Sequence, residues 1–422
     1  MAVYSEVGHL QDVVVHAPGA ALARMLPRHT DPSSPDYLLF DDLVDVPKAR
    51  DEHQRLCAVL GTVARVHQLE DLLAEVLVTP EARASVIEAT VQLSRLGDKA
   101  AATLESLHPG ALARTLIAGS VGGEIDGEHL LPPVPNLIFT RDLAAVVGDH
   151  IVVGNANKLA RRRESVLTWA LVDHHPLFAH LKVARISEEV RRRGGSYPLT
   201  IEGGDVLVIS SSLACIGASE RTTMSTIIRL AEELLDSGFS RILVAEMPKQ
   251  RSSMHLDTVF TLLGWDRCVV YAPLLKPTHR EEAHLLRLRR VGGHTVVEAL
   301  QRDLLDALAL EGHPMQEVPC GGGHPLDQHR EQWTDGANYV ALGPGLVVGY
   351  ARNRRTAAAC AEAGFQNVST REFLDIFERD FAADAQALLH SGQRYAVHIV
   401  GSELSRGRGG PRCLTLPVGR AG

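Results

Sequence analysis

The chain has no stretch approaching the roughly 20 consecutive apolar residues that a membrane-spanning helix requires. Its opening, MAVYSEVGHLQDVVVHAPG, lacks the basic segment and apolar core of a secretory signal, so none is expected. Basic residues are not in excess: 43 Lys and Arg stand against 51 Asp and Glu, a formal charge of −8, which argues against nucleic acid or an anionic membrane as the main partner. Cysteine is sparse. The six cysteines, at 57, 215, 268, 320, 360 and 413, form no CxxC pair and no metal-finger spacing, so a disulfide scaffold and a zinc finger are excluded and a reducing cytoplasm is the expected setting. Also missing are a P-loop, a GxSxG elbow, an HExxH helix and a GxGxxG turn after a strand. The run CGGGHP at 320 to 325 has no second ligand cluster and reads as a turn.

What is present is a chain of 422 residues, 45% hydrophobic and 22% charged, which exceeds the size at which a single core stops growing. One large domain with an insertion, or two domains, is expected. Leu10 to His16 reads as a strand, Pro47 to Leu60 as a helix with proline in its first turn, and Thr62 to Val66 as a second strand. Between Asp71 and about Glu128 the texture is Ala, Leu, Glu and Arg at helical spacing, with Thr79, Pro80 and Glu81 as a helix start, which points to an all-helical insertion. Strand texture returns with 137 to 140, 143 to 147 and 150 to 153. It recurs at 206 to 218, 241 to 247, 255 to 263 and 267 to 273, with helices expected over 161 to 178, 224 to 237, 297 to 310 and 370 to 390. Short strands in pairs, each with one helix, imply a repeated β/α unit, which a propeller-like or a doubly wound fold would satisfy.

The segment Gly401 to Thr415, GSELSRGRGGPRCLT, is a loop by its glycines and proline, and it carries one cysteine, Cys413. Arg406, Arg408 and Arg412 beside it are expected to favour a thiolate, which would make Cys413 a nucleophile; the alternative is a basic loop with an inert thiol. In MHLDTVF, read as a strand, His255 and Asp257 at i and i+2 would share a face, with the imidazole suited to acid and base work near neutral pH. Such a pair also arises by chance. Glu202 in IEGGDVLVI sits at a glycine turn where a carboxylate can orient a histidine or grip a cation, or simply turn the chain. Asp142 follows the apolar NLIFTR, and adjacent Arg141 and Asp142 would ordinarily be a solvated pair. Arg161 to Arg163 and Arg221 are further basic positions, with Arg162 and Arg163 expected on a solvated helix face.

The segments NLIFTRD, IEGGDVLVI, MHLDTVF, EQWTDGANYVALGPGLVVGYARN and SELSRGRGGPRC, in this order and spacing, resemble the bacterial arginine deiminases. So do SEVGHLQDVVVHAPG and LLFDDL nearer the start. The resemblance covers nearly the whole chain and is weakest in the helical stretch. It implies a pentein fold, a five-fold pseudosymmetric β/α propeller formed by residues 1–72 and 129–422, with a helical bundle inserted at 73–128. It also implies hydrolysis of L-arginine to L-citrulline and ammonia without metal or cofactor. Carried over by motif, Cys413 resembles the nucleophile, His255 the acid and base, and Glu202 its partner, while Asp142 and Asp257 match the carboxylates that hold the guanidinium. Asn136, Arg161 and Arg221 fall where the family binds the substrate carboxylate, and Arg408 matches a loop arginine near the pocket. Ala17, Leu143 and the stretch NANKLARRRE at 155 to 164 depart from the family pattern. Two rival readings follow: a related guanidino hydrolase or amidinotransferase with another substrate, and a non-catalytic binding protein on the same scaffold. Homo-oligomerisation is left open.

Overall fold

The computed structural model describes residues 2–34, 36–156, 161–193, 199–276 and 283–421. The departures at 157 to 160 therefore lie outside the described residues. Among the described residues the strands group into five separate sheets. Each contains an antiparallel pair joined by a parallel third strand. Ala144–Val147 pairs antiparallel with His150–Val153, which pairs parallel with Lys182–Val183. The same arrangement links Val206–Ser210, Leu213–Ala218 and Arg241–Glu246, and again Phe260–Gly264, Arg267–Val270 and Gln316–Pro319. It recurs in Val340–Gly343, Leu346–Tyr350 and Tyr395–Ile399, where Gln366–Ser369 adds an outer strand. The remaining sheet joins the two ends of the chain: Leu10–Val15 runs antiparallel to Leu416–Arg420 and parallel to Arg65–Gln68.

A parallel partner demands a crossover, and helices provide it. Val46–Leu60, Arg162–His174 and Met224–Asp236 each lie between the two parallel strands of their sheet in sequence. Pro47 stands in the first turn of its helix, and Asp45 caps that helix by accepting from the Lys48 amide at 3.2 Å. Between the strands at 65–68 and 144–147 come helices Leu69–Val76, Pro80–Ser94, Asp98–Ser106 and Pro109–Ala118. Their buried faces, including Leu72, Leu73, Val86, Ile87, Leu112 and Leu116, share one core with the sheet residues Val146, Ile151 and Val152. No helix among the described residues is long and apolar enough to cross a membrane.

Several elements differ from the sequence reading. The expected strand at 137 to 140 is a 3-10 turn, Pro135–Ile138, followed by a short helix, Thr140–Leu143, because Pro135 has no amide for a ladder and starts a helical turn instead. At 255 to 263 only Phe260–Gly264 is strand. Leu256–Thr258 is a 3-10 turn, since the Leu256 amide is taken by the Asp205 carboxylate at 2.9 Å and not by a neighbouring strand. The pattern at 297 to 310 divides into the strand His294–Leu300, rich in β-branched residues, and the helix Leu304–Leu310, capped by Asp303. Pro176 ends the helix expected over 161 to 178 at His174. The helix expected over 370 to 390 breaks at Ala382 and Ala383, both with positive φ.

Candidate active site

Six separate chain segments converge on one buried pocket. Its wall includes Leu39, Asn136, Phe139, Asp142, His255 and Cys413. The free space within is about 20 Å³, room for about one water, so the pocket is filled by its own side chains.

Glu202 stands at the head of a 3-10 turn, Gly203–Asp205, where two glycines bring backbone and side chains close. A Cβ on Gly204 would lie 2.7 Å from the His255 ring, so only glycine lets that imidazole reach the carboxylate. His255 Nε2 lies 2.8 Å from Glu202 Oε2, and Nδ1 lies 3.8 Å from Asp142 Oδ1. Burial opposes a charge on this imidazole, yet Asp142, Glu202 and Asp205 outweigh it and raise its pKa to about 9. His255 is thus a cationic acid at neutral pH. Glu202 is held below the usual carboxylate range: burial works against its charge, and Arg161, Arg221 and His255 overcome that cost. Asp142 is pushed up, by burial first.

Arg161 threads the acidic cluster. Its guanidinium donates to Glu164 at 2.9 Å, to Glu202 at 3.0 Å and to Asp142 at 3.4 Å. Arg221 reaches Glu202 at 3.4 Å. Asn136 is committed to the backbone, its Nδ2 donating to the Leu38 carbonyl at 2.8 Å. Asp142, Glu202 and His255 present donor atoms all within 4.8 Å of one another, a set suited to a cation. Arg161 and Arg221 already bring two positive charges to it, which disfavours adding a divalent ion.

Cys413 lines the same pocket, and its loop is shaped by close approaches. A Cβ on Gly410 would sit 2.6 Å from the Asn338 side chain. Asn338 Oδ1 accepts from the amides of Arg412 and Cys413 at 3.0 and 3.1 Å, and its Nδ2 donates to Cys413 Sγ at 3.2 Å and to the Asp257 carbonyl at 3.0 Å. The three neighbouring arginines do not create a thiolate as the sequence suggested. Arg406 is half-exposed and paired with Asp42 and Glu403. Arg408 stacks on Trp333, 4.0 Å from the ring centre, and its Nε lies 3.4 Å from Asp41. Arg412 is fully buried and spent on carboxylates: Nη1 donates to Asp257 at 2.8 Å, and Nε and Nη2 to Glu6 at 3.1 and 3.0 Å. Burial, then Asp257, Asp142 and Asp335, push the Cys413 thiol well above its ordinary value.

Asp257 does not line the pocket, but its Oδ2 lies 3.7 Å from Cys413 Sγ. The i, i+2 logic that paired it with His255 fails, because the segment is a turn and not a strand. Glu202 likewise stands behind His255, outside the lining. Arg141 and Asp142 are not a solvated pair: Arg141 turns to the Cys413 loop, donating its amide to the Cys413 carbonyl at 3.1 Å, and both side chains are buried. Arg163 is buried as well and donates to the carbonyls of Leu116 and Pro132, so it is no solvated face.

A sequence profile described as arginine deiminase matches residues 36–123 and 115–420. The arginine deiminase of Mycobacterium bovis (strain BCG / Pasteur 1173P2) is 35% identical over 439 aligned positions, covering 99% of this chain and 97% of that protein. The chain belongs to the arginine deiminase family. The arginine deiminase of Mycolicibacterium gilvum is a second such relative, 33% identical over 99% of this chain and 97% of its own length. Solved structures share the family's fold at low identity. The N-terminal domain of ArgZ, an arginine dihydrolase of the cyanobacterial ornithine-ammonia cycle, aligns in the substrate-bound form of a cysteine-to-serine mutant with a TM-score of 0.53 and 12% identity, covering 97% of this chain and 98% of that one. SxtG, an amidinotransferase from Microseira wollei in saxitoxin biosynthesis, gives 0.53 at 13% identity over 100% and 98%. The fold is thus the mixed α/β architecture of pentein-type enzymes.

In this arginine deiminase family chain four groups escaped the sequence reading. Asn338, Glu6 and Glu164 act on residues brought together from distant or unsuspected positions, and Arg412, expected to favour the thiolate, instead holds Glu6 and Asp257. Asn338 is separated from Cys413 by 75 residues and Glu6 from Arg412 by 406. Asn338, Glu6 and Arg412 do lie within the segments EQWTDGANYVALGPG, SEVGHLQDVVVHAPG and SELSRGRGGPRC that resemble the family, but nothing in those segments shows which residues they meet.

Proposed function

We propose that this chain hydrolyses L-arginine to L-citrulline and ammonia, with Cys413 as nucleophile and His255 as acid and base. The observation that carries the reading is a buried imidazole, paired with Glu202 at 2.8 Å, that lines one pocket with Asp142 and Cys413, with Asp257 Oδ2 3.7 Å from the thiol. A guanidinium is planar and cationic, and two carboxylates satisfy its edges by charge-assisted hydrogen bonds. In this site its charge would offset Asp142 and Asp257, the carboxylates that keep the thiol protonated, so substrate arrival favours the thiolate.

The Cys413 thiolate adds to the guanidinium carbon, forming the C–S bond. His255 gives its proton to one nitrogen, which leaves as ammonia when the C–N bond breaks, and an S-alkylthiouronium remains on the enzyme. Neutral His255 then removes a proton from water, the oxygen adds to the same carbon, and the C–S bond breaks to release citrulline and Cys413. Glu202 holds the imidazole in place throughout. Arg161 and Arg221 turn from the acidic cluster to the substrate carboxylate, with Asn136 beside them, and Arg408 closes the mouth of the pocket. The cycle consumes arginine and water and calls on no cofactor.

The five sheets, each with one antiparallel pair and one parallel strand, support a five-fold propeller around this pocket, with residues 73–128 as an inserted helical domain between 1–72 and 129–422. All six cysteines are free thiols, in keeping with a cytoplasmic setting. Citrulline release from L-arginine by the wild type and by Cys413→Ala tests the mechanism: activity that survives the substitution would refute it. An amidinotransferase shares the fold, so the assay includes other guanidino compounds and an amine acceptor. A preferred substrate other than arginine, or a required acceptor other than water, would replace the reading.

A further inference from the structure

A second cavity, of about 740 Å³, lies beyond the pocket wall where the segment at 24–38, the helix Pro80–Ser94 and the start of the helix Arg162–His174 meet. Five of its lining residues are arginines, Arg24, Arg28, Arg95, Arg162 and Arg163, against a single carboxylate, Asp36. In a chain of net charge −8 this is a local inversion. Arg28 is the one that Asp36 pairs with, at 3.1 Å. Arg24 donates to the Ile125 carbonyl at 3.0 Å and Arg163 to backbone carbonyls, contacts that position the guanidinium groups without cancelling their charge. The Nε of Arg24 is buried with no hydrogen-bond partner. Two histidines in the lining report the field: His129 is held below its ordinary pKa by burial, then by Arg24 and Arg28, and His29 by burial, then by Arg28. Apolar walls of Leu26, Leu93 and Pro133 complete the cavity.

This cavity shares two walls with the catalytic pocket. Leu38 lines the cavity and Leu39 the pocket, and Arg161 lines the pocket while Arg162 and Arg163 line the cavity. The shared backbone is tied to pocket residues: the Leu38 carbonyl accepts from Asn136 at 2.8 Å and the Leu39 carbonyl accepts from Arg251. Leu39 holds φ at 66°, a left-handed conformation that is strained for a leucine, which makes this wall a natural place for a local change.

We propose that the cavity binds a small anion carrying several phosphates, and that its occupancy reaches the active site through the Leu38–Leu39 wall. Clustered guanidinium groups bind phosphate oxygens through paired hydrogen bonds, and a multivalent anion is the ligand that several of them can engage at once. The phosphates could arrive as an inorganic chain or on a nucleoside whose flat base would lie on the apolar wall.

The test is isothermal calorimetry on the full-length protein with two probes, tripolyphosphate and ATP, each without magnesium. The expected result is a dissociation constant below about 1 mM for the wild type at low salt, weakening as salt is raised. Arg24→Gln/Arg95→Gln should weaken it by about tenfold or more. Arg95 is exposed at a helix end, so Arg95→Gln alone carries the test where the double variant loses its fold by circular dichroism. Equal affinity for both probes assigns recognition to the phosphates, and tighter binding of ATP adds the nucleoside. Absence of binding at millimolar probe, or equal binding by wild type and variant, would overturn the proposal. A change in KM for L-arginine on adding tripolyphosphate, seen in the wild type and lost in Arg95→Gln, is the expected sign of coupling. The calorimetry reads binding directly, so its failure is distinct from a failure of the arginine-hydrolysing reading.

Discussion

Two buried charge clusters flank Cys413, and they behave in opposite ways. Behind it, Glu6 and Asp257 are clamped by Arg412, and Glu6 is fixed as an anion with a pKa of about 2: burial works against its charge, and Arg412 and Arg141 overcome that cost. In front, burial raises Glu164 to about 7 and pushes Asp142 up, while Arg161 is divided among three carboxylates and Arg221 reaches only one of them. The rear cluster is settled, with Arg412 fixing Glu6 and holding Asp257 beside Cys413. The front cluster has charges that shift with small changes in environment, which is the condition a binding and proton-transfer site requires. Cys413 stands at the boundary between the two.

The comparison can be broken by experiment, and the largest effect is expected at the boundary itself. Cys413→Ser should reduce citrulline formation by about 10³-fold or more while the melting temperature holds within a few degrees, because a hydroxyl is a far weaker nucleophile. In the rear cluster, Arg412→Met leaves Glu6 and Asp257 buried without compensation. Urea denaturation should show a loss of about 3 to 5 kcal/mol, and a loss below about 1 kcal/mol would mean that the rear cluster is not the fixed element described.

The front cluster is read by pH. His255, raised from its ordinary 6.5 to about 9, stays a proton donor up to that region, so kcat/KM should fall as pH passes about 9. The same shift contributes stability that is complete below pH 6.5 and lost as pH rises through about 9. Glu202→Gln removes an anionic partner, so the falling limb should move at least about one pH unit lower. An unmoved limb would assign it to another group. Glu6 has the opposite sign. Its stabilisation is present above pH 4.5 and lost as pH falls through about 2. The smallest effect belongs to Arg406→Ala at the surface, within about 1 kcal/mol in stability and with kcat unchanged.

How much of this was legible in the sequence differs by residue. Cys413 and Glu202 stood out beside glycine turns, and His255 and Asp142 in short apolar segments that match the family's motifs; the structure brings these four together. Arg161 and Arg221 do reach the pocket, but the sequence could not show that they would be held by Glu202 and Asp142. The paired strands were visible as short apolar runs, yet Pro135 and the Asp205 bond to the Leu256 amide converted an expected strand and the start of another into turns. What stayed hidden rests on long-range contact. Asn338 shapes the Cys413 loop from another sheet, and Glu6 meets Arg412 only because the two chain ends pair as adjacent strands. The expected effect of three arginines on the thiol failed for the same reason, since sequence proximity says nothing about which carboxylates those side chains meet.

The pocket of about 20 Å³ has a kinetic meaning. A substrate guanidinium seeking Asp142 must displace one that is already there, covalently tethered as Arg161 and therefore present at an effective concentration in the millimolar range or above. In the proposed reaction, Arg161 would then act as a built-in competitor for Asp142. On that proposal, the affinity for arginine would contain the work of displacing it, and a shortened Arg161 would trade tighter entry of simple guanidines against the loss of the group proposed to meet the substrate's carboxylate.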